Sequence, residues 1–219
     1  MKAAIWSAFL LSSVAFASFA TSFNTVDPGT FDPKDTDLVA ARWIHGIGCP
    51  TDQKITPDGS KTTPFSDPAC PTGDKGDRDN SGLLLVKTGP TANVAAAGAD
   101  LKSVRGIKLT ELGYDIRTGS HCGGGAPRFN VVTEDNVTHF VGCSSGTVTT
   151  SSAGWRRLRW VPSNPAQAFP PIAPTSTVRS ISIIFDEGQD TPDAPTSTAG
   201  SGSAIIDNVD VNGTLVGER

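Results

Sequence analysis

Basic charge is in short supply. Lysine and arginine number 18 against 22 aspartates and glutamates, giving a formal net charge of −4. A nucleic-acid binder needs a basic face, so nucleic acid is set aside as a partner. Long apolar runs are scarce too. One lies within residues 1–20, MKAAIWSAFLLSSVAFASFA; it is short for a membrane span, and no second run follows it. The four cysteines show no CxxC spacing, and only His121 adjoins one of them, so a zinc site is not the reading. No stretch is a convincing helix, and no repeat is detectable. Glutamates are few (Glu111, Glu134, Glu187 and Glu218), which limits the carboxylate pairs that glycosidase chemistry would need. Nor is there a run of exposed aromatics of the kind a flat polysaccharide-binding surface uses.

The first twenty residues combine one early lysine, the short apolar run and small-x-small cleavage patterns at Ala15–Ala17 and Ser18–Ala20. They read as a secretory signal peptide. The mature chain, 21–219, is then expected outside the cell or on the cell wall, with no membrane span after cleavage and with disulfides permitted. Four cysteines allow three pairings. The local ones, Cys49–Cys70 and Cys122–Cys143, are favoured because the segments between them read as hairpins. Each closure is worth roughly 3 kcal/mol in the chain-entropy model.

With 23 glycines and 16 prolines the chain reads as many short strands joined by turns. Alternation is clearest between Gly106 and Cys143. Leu112, Tyr114 and Ile116 oppose Asp115 and Arg117; Phe129 and Val131 oppose Arg128, Asn130 and Val132; Thr138–Cys143 is a third short strand. GLLLVKT (82–88), WRRLRWV (155–161), Val178–Phe185 and SAIIDNVDV (203–211) add further strands. About eight strands without helix predict one all-β domain, a single antiparallel β-sandwich. Residues 21–35 are expected as an extended N-terminal arm, and 49–70 as a disulfide-stapled surface loop.

Several constellations bear on function. Asp115, Arg117, Arg128, Asn130 and His139 fall on the polar face of the central strands, and Trp155, Arg157 and Arg159 oppose Leu158. These planar polar groups and an aromatic are suited to sugar recognition; the plain alternative is the solvated outer face of a sheet. Asp77 and Asp79 lie in a loop with oxygen ligands at alternate positions, a calcium-like spacing that lacks the closing glutamate. Asp207 shares a face with Ile205, Val209 and Val211 and should point inward, so its carboxylate must be hydrogen-bonded or bound to calcium. Asn136-Val-Thr and Asn212-Gly-Thr are glycan acceptor sequons at expected turns. Gly142-Cys-Ser-Ser-Gly matches G-x-S-x-G, but hydroxyl-rich residues follow it where a helix is needed, and no histidine follows the serine.

Together, GLLLVKTGPT, the three-strand block and the closing AIIDNVDVNG resemble the extracellular jelly-roll β-sandwich modules, carbohydrate-binding modules among them. The resemblance implies a non-catalytic module that binds a polysaccharide, glycan or cell-wall component. It also implies a structural calcium on an aspartate of the last strand, here Asp207. Two other readings remain open: a β-sandwich glycoside hydrolase or lyase acting through Asp115, Glu187 or His139, and a surface protein with a structural or host-interaction role. The oligomeric state is not readable from the chain.

Overall fold

The computed structural model describes residues 23–51, 53–55, 61–89, 94–187 and 202–218. The leader therefore lies outside the described residues. The chain runs through β1 (Thr25–Phe31), β2 (Val39–Ile44), β3 (Gln53–Ile55), β4 (Lys61–Phe65), β5 (Gly82–Lys87), β6 (Ala96–Lys102) and β7 (Leu112–Arg117). It continues through β8 (Arg128–Thr133), β9 (Thr138–Gly142), β10 (Thr147–Ser151), β11 (Trp155–Trp160), β12 (Val178–Phe185), β13 (Ser203–Val211) and β14 (Thr214–Val216). A single 3-10 turn, Cys143–Ser145, interrupts the strands among the described residues.

Two antiparallel sheets face each other. One has five strands in the order β1-β6-β12-β8-β9; the other has seven, with β10-β11-β7-β13-β5-β2 in a row and β14 beside β13. From β5 onward the chain changes sheet at each strand or hairpin, the winding of a jelly roll. The strands exceed the eight expected, and two of the additional ones, β1 (TVDPGTF) and β6 (AAGADLK), carry Gly, Ala, Asp and Pro, which are depleted in strands. Their pairing partners, rather than their own propensity, make them strands. β1, expected only as an extended arm, is the edge of the smaller sheet, where Pro28 is tolerated because an edge leaves one row of backbone groups unpaired.

The alternation read from sequence is the alternation of the core. Leu112, Tyr114, Ile116, Phe129, Val131, Ile181, Ile183 and Phe185 are all buried between the sheets. At its centre Tyr114, Phe129 and Trp160 pack ring on ring at centroid distances of 4.9–5.7 Å. Their polar atoms reach backbone carbonyls, Tyr114 Oη donating to Pro127 and Trp160 Nε1 to Gly142. Both expected disulfides are present, with Cα–Cα distances of 6.2 Å for Cys49–Cys70 and 5.1 Å for Cys122–Cys143.

The Cys49–Cys70 disulfide is not at the surface. Cys49, Ala69 and Cys70 pack with Trp155 and Ile205 into a second apolar cluster on the outer face of the larger sheet. The stapled segment is a lid over that face, and it buries polar side chains that alternation alone assigns to solvent.

Candidate functional site

The smaller sheet has an open outer face, and its registers define what is displayed there. One row crosses all five strands as Asp27, Asp100, Ser182, Asn130 and Phe140; the next runs Gly29, Gly98, Ile184, Arg128 and Gly142. Small residues occupy the middle of the face, so it is a trough. One depression of about 330 Å³ lies over β1, β6 and β12, and a second of about 460 Å³ continues past Phe31, Asn130 and Asp186. Gly98 sets the depth, because a β-carbon there would run into the Ile183 carbonyl.

Aromatic rings bound the trough. Phe31 is 62% exposed on β1, and at the opposite edge Phe140 and Phe169 are 43% and 77% exposed. Phe140 and Phe169 exchange backbone hydrogen bonds of 2.8 and 2.9 Å as an antiparallel pair, so their rings project from the same face. Between the rings the polar groups are held in place. Arg128 donates two parallel hydrogen bonds to Asp186, at 2.6 and 2.8 Å, and a third from Nε to Asn130 Oδ1 at 3.0 Å. Its guanidinium lies 5.9 Å from the Phe140 ring centroid. This grip fixes the amide of Asn130 with its NH₂ group toward the trough. Lys102 bridges Asp100 and Asp27 at 3.2 and 3.5 Å, and Asp100 raises its pKa.

The eight residues expected to form one polar binding face are divided between the two sheets. Arg128 and Asn130 are on the open face just described. Asp115, Arg117, Trp155, Arg157 and Arg159 are on the outer face of the larger sheet, on the far side of the molecule. There the lid buries Asp115 completely, and Arg157 holds it with Nε at 2.8 Å and Nη2 at 2.9 Å. Asn208 Nδ2 donates to the same carboxylate, and Arg157 Nη1 donates to Thr72 Oγ1 in the lid. Burial pushes the Asp115 pKa up, and the Arg157 contact opposes it. Arg159 pairs with Asp210 at 3.0 Å and Glu111 at 3.7 Å. Asp115, Arg157 and Arg159 thus have partners within the protein, and the Asp115–Arg157 pair ties lid to sheet through Thr72.

His139 is also not on the polar face. It pairs with Val131, so its ring points inward, buried, with Nδ1 2.7 Å from the Pro170 carbonyl and Nε2 3.2 Å from Thr133 Oγ1. The β8–β9 turn sets this register, and one residue of slip reverses the face. His121, weighed in the sequence only as the histidine beside a cysteine, is 2% exposed, packs edge-on against Phe185 and contacts Glu187 through Nε2. Ser144 lies in the 3-10 turn and is followed by β10, so the helix a nucleophile elbow requires is missing there. Both sequon asparagines, Asn136 and Asn212, occupy exposed turn tips with φ of 65° and 54°. The Asn212 amide ties its turn to the β6–β7 connection, accepting from Thr110 N and donating to the Lys108 carbonyl.

Of the three aspartates expected to hold calcium, two come together. Asp207 is buried as expected, but on the lid side: β13 bulges at Asn208 (φ 46°), so Asp207 shares a face with Ile205 while Val209 and Val211 turn to the core. Its oxygens accept from Cys49 N at 2.7 Å and Asn208 N at 2.6 Å. Asp77 Oδ2 and Asp207 Oδ1 converge on Gly217, lying 3.2 and 3.4 Å from where a β-carbon there would be. Burial raises the Asp77 pKa to about 6, with the Asp74 and Glu218 carboxylates adding to the rise. Burial and the charge of Asp77 push Asp207 well above the usual range. The hydroxyl of Ser81, beside Asp77, is buried without a partner. Two converging carboxylates, an unsatisfied hydroxyl and a glycine cradle fit a hard divalent cation of the calcium type. Asp79 does not join them: its carboxylate is half exposed and lies 3.4 Å from His45 Nδ1.

No family model and no curated protein matches this chain. Among solved structures it is similar to the family 11 carbohydrate-binding module of the cellulosomal cellulase Lic26A-Cel5E of Clostridium thermocellum. The identity is 13% and the TM-score 0.41, over 95% of this chain and 100% of that one.

Proposed function

We propose that this chain is a secreted, non-catalytic carbohydrate-binding sandwich that holds a neutral polysaccharide in the trough of its five-stranded sheet. One observation carries the reading. A polar row (Asp27, Asp100, Ser182, Asn130) crosses the sheet on a floor of small residues, between exposed Phe31 at one edge and the Phe140–Phe169 pair at the other. Four inter-strand spacings across the sheet and four residues along the strand set Phe31 about 23 Å from Phe140, the reach of an oligosaccharide rather than a single sugar. Sugar rings present apolar faces to stack on phenyl groups and hydroxyls to meet amides and carboxylates. Acidic groups along the row disfavour an anionic polymer. Each described carboxylate at the trough has a basic partner (Lys102, Arg128 or His121), which speaks for binding without acid–base chemistry.

Export is supported by the leader pattern and by two disulfides, which persist in oxidising compartments. Calcium belongs to the same proposal as a structural ion: Asp77 and Asp207 would hold it, with Ser81 adjacent, and it would neutralise the buried carboxylates. The test is calorimetric titration with neutral β-glucans, xylans and mannans, comparing the wild type with Asn130→Ala and Phe140→Ala. We expect each variant to lose about tenfold in affinity while keeping the wild-type near-ultraviolet spectrum. Unchanged affinity in both would remove the trough from consideration.

A further inference from the structure

A third depression lies on the opposite side of the molecule, on the outer face of the larger sheet beside Arg117 and Trp155. It encloses about 230 Å³, and its polar lining comes from Asp67, Asn80, Arg117 and Trp155. These residues reach it from four separate stretches of chain. Arg117 and Trp155 are cross-strand partners on β7 and β11, Asn80 precedes β5, and Asp67 follows β4.

The lining is unequally satisfied, and this points to a ligand. Asn80 is 5% exposed and held at a φ of 51° against Gly48, donating Nδ2 to the Gly48 carbonyl at 3.2 Å and accepting from Gly48 N on its own carbonyl at 2.8 Å. Its Oδ1 is buried with no partner, a cost that a folded chain ordinarily avoids. Arg117 is exposed and forms no ion pair with a described residue. Trp155 is 5% exposed, and its indole N–H donates to no described residue. Asp67 accepts from Ala69 N at 2.8 Å and Ser152 Oγ at 2.9 Å, which orients its carboxylate and leaves each oxygen a second lone pair. Gly154 permits this arrangement, since a β-carbon there would lie 3.0 Å from Asp67 Oδ2.

We infer that this pocket is a second ligand site and that it takes one ring of a neutral sugar. Its lining offers both kinds of group: the Arg117 guanidinium and Trp155 N–H donate, while the Asp67 carboxylate accepts. A hydroxyl both donates and accepts, so adjacent ring hydroxyls satisfy both sets at once. A phosphate or carboxylate would suit Arg117 but would meet the Asp67 carboxylate. The volume suits one ring, in contrast to the long trough. The site stands independently of the trough, so either can fail alone. If both hold, one protein grips a polysaccharide along its length on one face and a chain end or branch on the other.

The experiment is a ¹⁵N-HSQC titration of the full mature chain, disulfides intact, following its three tryptophan indole cross-peaks (Trp43, Trp155 and Trp160). The probes are glucose, galactose, mannose, xylose and arabinose, with glucuronate and inorganic phosphate alongside. At least one neutral sugar is expected to shift the Trp155 indole peak with a Kd of about 1 mM, the range of a few well-placed hydrogen bonds. Arg117→Ala should weaken that response about tenfold. Phe140→Ala should leave it unchanged. No shift of the Trp155 peak with any neutral sugar would overturn the inference. So would a shift by glucuronate or phosphate stronger than by every neutral sugar, or an Arg117→Ala response equal to that of the wild type.

Discussion

Asp77 and Asp207 make the stability of this protein depend on pH, and a calcium ion held by the pair, as proposed above, would offset that dependence. The Asp77 pKa rises from 3.8 to about 6 on folding, so between those values the folded state carries the proton that the unfolded chain has already released. Stability therefore falls as pH climbs through that window, the opposite of a carboxylate in a salt bridge. At 1.36 kcal/mol per pKa unit the loss approaches about 3 kcal/mol, an upper bound because Asp77 is not fully dry. Asp207 moves the same way, through burial and the Asp77 charge. For a chain of this length each kcal/mol corresponds to about 2–4 °C in Tm, so in EDTA the Tm should drop by about 5–10 °C from about pH 4 to about pH 7.5. A cation that binds only the ionised pair adds about 2.7 kcal/mol at a hundredfold excess over its Kd, enough to cancel most of the loss at neutral pH. Differential scanning calorimetry at both pH values, in EDTA and in calcium, reads this directly. Asp207→Asn retains an acceptor for Cys49 N; it should flatten the EDTA slope and abolish the calcium response. A Tm that holds or rises with pH in EDTA would refute the reasoning, as would a calcium response undiminished in Asp207→Asn.

Three further outcomes follow from the packing. Asp115→Ala leaves the Arg157 guanidinium buried and unpaired, and should cost about 3–5 kcal/mol in urea unfolding; Asp115→Ala with Arg157→Met should recover much of that. Replacing Cys49 and Cys70 by serine should lower stability by about 3 kcal/mol and uncover Trp155, read as a red shift in tryptophan emission. Gly98→Ala should cost about 1–3 kcal/mol in the same denaturation assay, because the added methyl meets the Ile183 backbone rather than a movable side chain.

The core was legible in the sequence because alternation reports which residues share a face. Leu112, Tyr114, Ile116, Phe129, Val131 and the β12 residues all point where their spacing says they should. Alternation does not report what covers the other face. Asp115, Arg157 and Trp155 read as solvent-facing because nothing local reveals that Cys49, Ala69, Cys70 and Thr72 pack back over them. Asp207 failed for another reason: the bulge at Asn208 shifts the parity partway along one strand, so residues that share a face in the sequence pattern do not share one in the sheet. His139 shows how a hairpin register settles a face that a five-residue strand leaves ambiguous. The trough was half visible. Arg128 and Asn130 were identified, but their partners on the face come from β1, β6 and β12, and only the strand order brings Phe31, Asp100 and Ser182 alongside them. Phe140 and Phe169 lie far apart in sequence, and their pairing comes from the extended segment beyond β11. No run of aromatics announces it.

The most direct test of the central claim uses an array of neutral and acidic polysaccharides, probed with the wild type and Ser182→Trp in parallel. Ser182 lies mid-trough with its side chain on the open face, so an indole there fills the groove without entering the core. The account predicts selective binding of at least one neutral polysaccharide by the wild type, and loss of that binding in Ser182→Trp at unchanged thermal stability. Equal binding by both proteins, or no binding to any neutral polysaccharide, would contradict it.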